Sequence, residues 1–209
     1  MTKQQSVFLK IAMAIAIATY SLQQILVASA SFSEYISDIF EPDSLFSFAV
    51  VALFSGYCIV LDRDKHGFMI KSAFLICAIL RAGAFLSATM TLFSQMVNGG
   101  DFLPFLANYI VSLFGFVVGV LLFLSTFFKV RVISIVGIGV TATYMFFRFI
   151  NVLVSMIQVF NVVDDSHYAM FALTYSALII GISMGVSYIL WFVTRLLEKK
   201  EEPQLTANE

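Results

Sequence analysis

Along this chain, six long apolar segments alternate with short polar ones. The apolar segments run from Ile11 to Ala30, Leu45 to Leu61, Ser72 to Met96, Phe105 to Phe128, Val132 to Phe160 and Ala169 to Val193. A helix needs about 20 apolar residues to cross the hydrocarbon core of a bilayer, so each is long enough, the second only just. The fifth exceeds that thickness and is expected to tilt or to begin in the interface. The three prolines, Pro42, Pro104 and Pro203, all lie outside the segments. Nothing therefore obliges a helix to break at mid-membrane, as it does in carriers built on discontinuous helices. The pattern predicts an all-α membrane protein with a six-helix transmembrane domain over residues 1–193, short loops, and a short polar cytoplasmic tail over residues 194–209.

Two stretches outside the regular alternation carry their own expectations. Phe32, Tyr35, Ile36, Ile39 and Phe40 recur at helical spacing, with Ser33, Glu34, Ser37, Asp38 and Glu41 on the opposite face. This predicts one short acidic amphipathic helix along the outer interface, either a connection resting on the bundle or a docking surface for a partner. At the N-terminus, Lys3 and Lys10 precede an apolar run that ends in Ala28-Ser29-Ala30, a layout shared with cleavable signal peptides. The run is long enough to remain as an anchor, which is the expectation adopted here.

Charge fixes an orientation. Ten of the twelve Lys and Arg residues fall in four stretches: Lys3 with Lys10, Arg63 with Lys65 and Lys71, Lys129 with Arg131, and Arg195 with Lys199 and Lys200. Three intervening polar stretches, 31–44, 97–104 and 161–168, hold none. Positive charge is retained on the cytoplasmic side, so both termini are expected inside, in the manner of a bacterial inner (plasma) membrane protein. Tyr109, Tyr168 and Phe171 on one side, and Phe127, Phe128, Trp191 and Phe192 on the other, are expected to form the aromatic belts.

Composition agrees, with 60% hydrophobic and 12% charged residues and a mean hydropathy of +0.95. A net charge of -1 and the lack of any basic run give no footing for nucleic acid. Cys58 and Cys77 lie toward the cytoplasmic ends of their segments, where a disulfide does not persist, and are expected to be buried thiols.

The remaining basic residues, Arg81 and Arg148, fall inside apolar segments. In the fifth segment Thr141, Tyr144, Arg148, Asn151, Ser155 and Gln158 follow one another at gaps of three or four, which puts all six on one helix face. The third repeats a milder version in Arg81, Ala84, Ala88, Thr91 and Gln95, and the first in Lys10, Ala14, Ile17, Ser21, Gln24 and Ala28. An Arg at mid-bilayer costs about 2.5 to 3.5 kcal/mol on insertion scales, so these faces are expected to meet each other, a cavity or a partner. None of the thirteen Asp and Glu residues lies in an apolar segment. The two cations thus have no embedded counter-charge, and an incoming anion would supply one. Arg81, Arg148, Asn151, Gln24, Tyr144 and Gln158 are the candidate ligand- or partner-binding residues.

Pairs of small residues four apart, Gly115 with Gly119, Gly181 with Gly185, Ser183 with Ser187 and Ala84 with Ala88, predict close helix packing, chiefly within the chain. Ala18-Thr19-Tyr20 recurs as Ala142-Thr143-Tyr144, too short a match to define a repeat.

Catalytic and metal chemistry find no arrangement here. His66 and His167 lie in loops on opposite sides, and there is no paired-Cys motif, Gly-rich phosphate loop or intramembrane aspartate pair. No enzyme activity, cofactor or metal is expected. The leading expectation is an embedded subunit of a larger inner-membrane assembly of a transport or secretion kind, with a membrane protein partner or a second copy. The alternatives are a small carrier or channel for an anionic or zwitterionic solute, and a lipid-phosphate-binding membrane protein.

Overall fold

The computed structural model describes residues 2–30, 42–60, 66–99, 103–160 and 184–198. It holds six helices and, among the described residues, no strand: α1 (Lys3–Ala30), α2 (Pro42–Val60), α3 (Phe68–Val97), α4 (Leu103–Phe127), α5 (Arg131–Phe160) and α6, described over 184–198. Four of them, α1, α3, α4 and α5, are long and apolar enough to cross a membrane, and α2 has a shorter apolar run over Leu45–Val60. The amphipathic segment expected at 32–41, the acidic cluster at 164–167 and the tail beyond residue 198 lie outside the described residues.

Local chemistry sets the helix ends. α1 starts eight residues before its apolar run because Thr2 and Gln5 form a capping box. The Gln5 backbone N–H donates to Thr2 Oγ1 at 3.1 Å, and the Thr2 N–H donates to Gln5 Oε1 at 2.8 Å. Pro42 opens α2 and Pro104 sits in the first turn of α4, positions where a missing N–H loses no hydrogen bond. Gly67, with φ 60°, precedes α3, and Gly99, with φ 67°, follows it; both are left-handed positions that favour glycine.

Consecutive helices pack against one another from α1 to α5, most extensively α3 against α4. Gly115 and Gly119 explain that closeness: a Cβ added at Gly119 would come within 3.0 Å of Ala78 Cα, and one at Gly115 within 3.6 Å of Arg81 Cδ. The expected small-residue contact between helices is here, inside the chain. The amide of Gln5, near the start of α1, reaches the Thr194 carbonyl near the end of α6 at 3.5 Å, so both lie at one end of the bundle. Lys71 of α3 and Phe127 of α4 meet 5.2 Å apart, so the start of α3 adjoins the end of α4.

The core is organised around α6. Trp191 packs edge-on against Phe54 and Tyr57 of α2 and Phe74 of α3, and its Nε1–H donates to Ser125 Oγ of α4 at 2.8 Å. Ser187 Oγ donates to the Ala12 carbonyl of α1 at 3.1 Å. Phe192 lies where a Cβ on Gly137 of α5 would be, and Met145 of α5 where one on Gly185 would be. One helix thereby touches all five others. This corrects the expected aromatic belt: Trp191 and Phe192 are 1% and 0% exposed, while Phe127 and Phe128 are exposed. A tryptophan whose N–H finds a partner inside the bundle has no need of the wet interface.

On α1 the face singled out by spacing is not the one the bundle buries. Lys10, Ala14, Ile17 and Ser21 are exposed, and the helix instead buries Gln5, Leu9, Ala12, Ala16 and Thr19. Backbone contact with α6 at Ala12 selects the alanine-rich stripe, because small side chains admit the closest approach.

Candidate functional site

Arg81 is the fourteenth of thirty residues in α3, and Arg148 the eighteenth of thirty in α5. Both are therefore far from their helix ends. The guanidinium of Arg81 crosses to α5 and lies 5.3 Å from the centroid of the Tyr144 ring, within cation–π range. Its aliphatic stem runs over Gly115 and Gly119 of α4, where no side chain blocks the way. Three helices thus position one cation: α3 carries it, α4 gives it a channel of bare backbone, and α5 offers an aromatic face.

Beside it opens a cavity of about 290 Å³ between α3, α4 and α5. Its lining combines Arg81, Tyr144 and Arg148 with Ser87, Thr91, Asn108 and Ser112, and includes no acidic residue among the described residues. Among those residues neither arginine forms an ion pair, and the ion pair present is Arg195 with Glu198, on α6. Among the described residues the buried Arg148 Nε has no hydrogen-bond partner, and the buried Tyr144 Oη, beside the Arg81 guanidinium, makes none of ordinary geometry. Buried polar groups are ordinarily satisfied, and an unsatisfied one costs about 1 to 3 kcal/mol, more when charged. Two cations border this cavity with no carboxylate among its described lining residues, an arrangement that suits a negatively charged group.

A second cavity, of about 650 Å³, lies on the other side of α3, bordered by α1, α2 and α6. Phe46, Val50, Val51, Ile79 and Leu80 make much of its wall apolar, and Thr19, Tyr20, Gln23 and Ser47 add polar groups. Arg81, Ala84 and Ser87 border both cavities. At the inner end of the larger one, Cys77 Sγ and Tyr188 Oη are 3.5 Å apart. Cys58 and Cys77 are both buried free thiols.

Of the residues singled out by spacing, Arg81, Tyr144 and Arg148 come together at the smaller cavity. Gln24 and Asn151 border neither cavity and make contacts of their own. Gln158 lies in α5, and its side chain is outside the described residues. Spacing had not singled out Asn108 and Ser112. With Gly115 and Gly119 they stand at gaps of four, three and four on α4, the same periodic signal that marked α3 and α5. Among the described residues no group of three or more His, Cys, Asp or Glu side chains is placed to hold a metal ion.

No family model matches the chain, and neither does any curated protein or solved structure.

Proposed function

We propose that this is a non-enzymatic, six-span inner-membrane protein that holds an anionic group within its helix bundle, between Arg81 and Arg148, as a small carrier or binding protein would. The observation that carries this is the shared cavity: two arginines from different helices, with no ion pair and no carboxylate in the lining among the described residues. An anion there gives both arginines charge-assisted hydrogen bonds that no carboxylate among the described residues supplies. Orientation follows from charge. Lys3, Lys71, Lys129, Arg131 and Arg195 lie at or near helix termini of one end of the bundle, which is therefore cytoplasmic, with both chain ends on that side.

The test is thermal unfolding of the purified full chain as inorganic phosphate is raised at constant ionic strength. A ligand that binds only the native state raises its melting temperature. The wild type is expected to respond, and Arg81→Gln and Arg148→Gln to lose the response. An equal rise in wild type and both variants overturns the assignment.

A second reading, an embedded subunit of a larger assembly, draws on the outer half of α3. From Gly83 to Val97 most of its residues are exposed, including Ser87, Thr89, Thr91 and Ser94. Hydroxyl-bearing faces are used for helix contact inside membranes more than for contact with lipid tails. Thr89 and Thr91 blunt that signal by donating to carbonyls of their own helix. Extraction in native lipid that consistently yields the chain alone and monomeric would discard this reading.

A further inference from the structure

We propose that the anionic group enters on an amphiphile: the two cavities form one bipartite site for an anionic membrane phospholipid, its phosphate at Arg81 and Arg148 and an acyl chain in the larger cavity. This rests on the anion-holding role argued above and adds the class of ligand.

The larger cavity is the reason. A site for a small free anion needs only polar walls, yet Arg81 also borders a space more than twice as large, walled by Phe46, Val50, Val51 and Leu80. The threshold between the two spaces is the side of α3 that carries Ala84 and Ser87, both exposed and both too short to divide them. A charged cavity that shares Arg81, Ala84 and Ser87 with an apolar one matches a molecule that is charged at one end and hydrocarbon at the other. The borders of the larger cavity come from α1, α2, α3 and α6, and Phe46 and Ile79 on its wall are among the exposed apolar side chains. An acyl chain reaches such a wall from the bilayer without crossing water. Arg81 lies near the middle of its helix, so the bound phosphate sits below the headgroup level of either leaflet. That distinguishes this ligand from a lipid resting against the outside of the bundle.

Charge and shape are tested separately by native mass spectrometry of the full chain released from mixed micelles containing equal phosphatidylglycerol and phosphatidylcholine. Glycerol 1-phosphate, the same charged group without hydrocarbon, serves as competitor. The wild type is expected to retain phosphatidylglycerol selectively, and glycerol 1-phosphate to displace it poorly. Arg81→Gln and Arg148→Gln are each expected to reduce retention roughly tenfold, the loss of one charge-assisted contact. Ser47→Phe and Gln23→Phe, which narrow the larger cavity from α2 and α1 and border only that cavity, are expected to reduce lipid retention while leaving the stabilisation by inorganic phosphate intact. If glycerol 1-phosphate competes as well as the intact lipid, and neither Phe variant changes retention, the amphiphile is wrong and the anion site stands. If both Gln variants retain the lipid like the wild type, the bipartite site is overturned. If phosphate also stabilises those variants as it does the wild type, the anion site falls with it.

Discussion

The guanidinium carbon of Arg81 lies 5.3 Å from the centre of the Tyr144 ring, and this contact ties α3 to α5 beside the cationic cavity. The ring face attracts the cation but leaves its N–H groups without carboxylate partners among the described residues, and the buried Tyr144 Oη beside it makes no hydrogen bond of ordinary geometry there. Tyr144→Phe keeps the ring and removes the orphan hydroxyl. In phosphate-free buffer the variant is expected to gain about 1 kcal/mol of stability, the penalty of one unsatisfied buried group. It is also expected to show a smaller melting shift with phosphate. A lower melting point without phosphate would mean that the hydroxyl has a native partner.

The charge of the cavity has a direct readout in the reactivity of a single thiol. Ser112 lines it from α4, so Ser112→Cys in a Cys58→Ala, Cys77→Ala background places one thiol beside two arginines. An anionic methanethiosulfonate is expected to label it roughly tenfold faster than a cationic one at low salt, because a cavity of one sign concentrates counter-ions. The preference should shrink as ionic strength rises. Equal rates at low salt would show that the arginines do not control this space.

Trp191 is the chain's single tryptophan, so intrinsic fluorescence reports on α6 alone. Buried among Phe54, Tyr57 and Phe74, it is expected to emit as a dry indole and to resist quenching by acrylamide and by brominated lipid. Trp191→Ala is expected to destabilise the fold by about 3 to 5 kcal/mol through the cavity it leaves. Strong quenching by brominated lipid would return the residue to the membrane interface.

Two glycines separate packing from propensity. Gly119→Ala sets a Cβ 3.0 Å from Ala78 Cα, a backbone atom that cannot swing aside, and is expected to cost about 1 to 3 kcal/mol. It should also weaken the phosphate response, since the backbone shift that relieves Ala78 carries the nearby Arg81 of the same helix with it. Gly139→Ala meets nothing within 4 Å and is expected to be neutral or mildly stabilising. Comparable losses from both, measured by thermal unfolding, would remove the special role of Gly119.

How much of this was legible in the sequence differed from helix to helix. On α5 the polar residues sit among apolar ones at strict helical gaps, so the face holding Tyr144 and Arg148 was readable without coordinates. On α1 the same rule chose Lys10, Ile17 and Ser21, and the bundle chose Ala12 and Ala16. Between two acceptable faces of an apolar helix, packing against a neighbour decides, and periodicity does not contain the neighbour. Trp191 was misplaced for a related reason: a tryptophan near a segment end looks interfacial until its N–H is seen to reach Ser125 on another helix. The T-x-x-Q box that starts α1 was present in the letters at Thr2 and Gln5. The cavity itself was beyond the sequence, because it is made by the crossing of three helices.

The central place of α6 also bears on how the molecule is made. Helices emerge from the ribosome in order, and the one that bridges all the others follows the first five. Until it arrives, Phe54, Phe74 and Ser125 have no indole between them, and Ala12 lacks its hydroxyl partner. The first five helices can pair with their neighbours in turn, but the bundle has an open seam until translation passes residue 198. A ribosome stalled in α6 would leave a chain with every helix present but one and no closed core, the kind of intermediate that membrane proteases recognise.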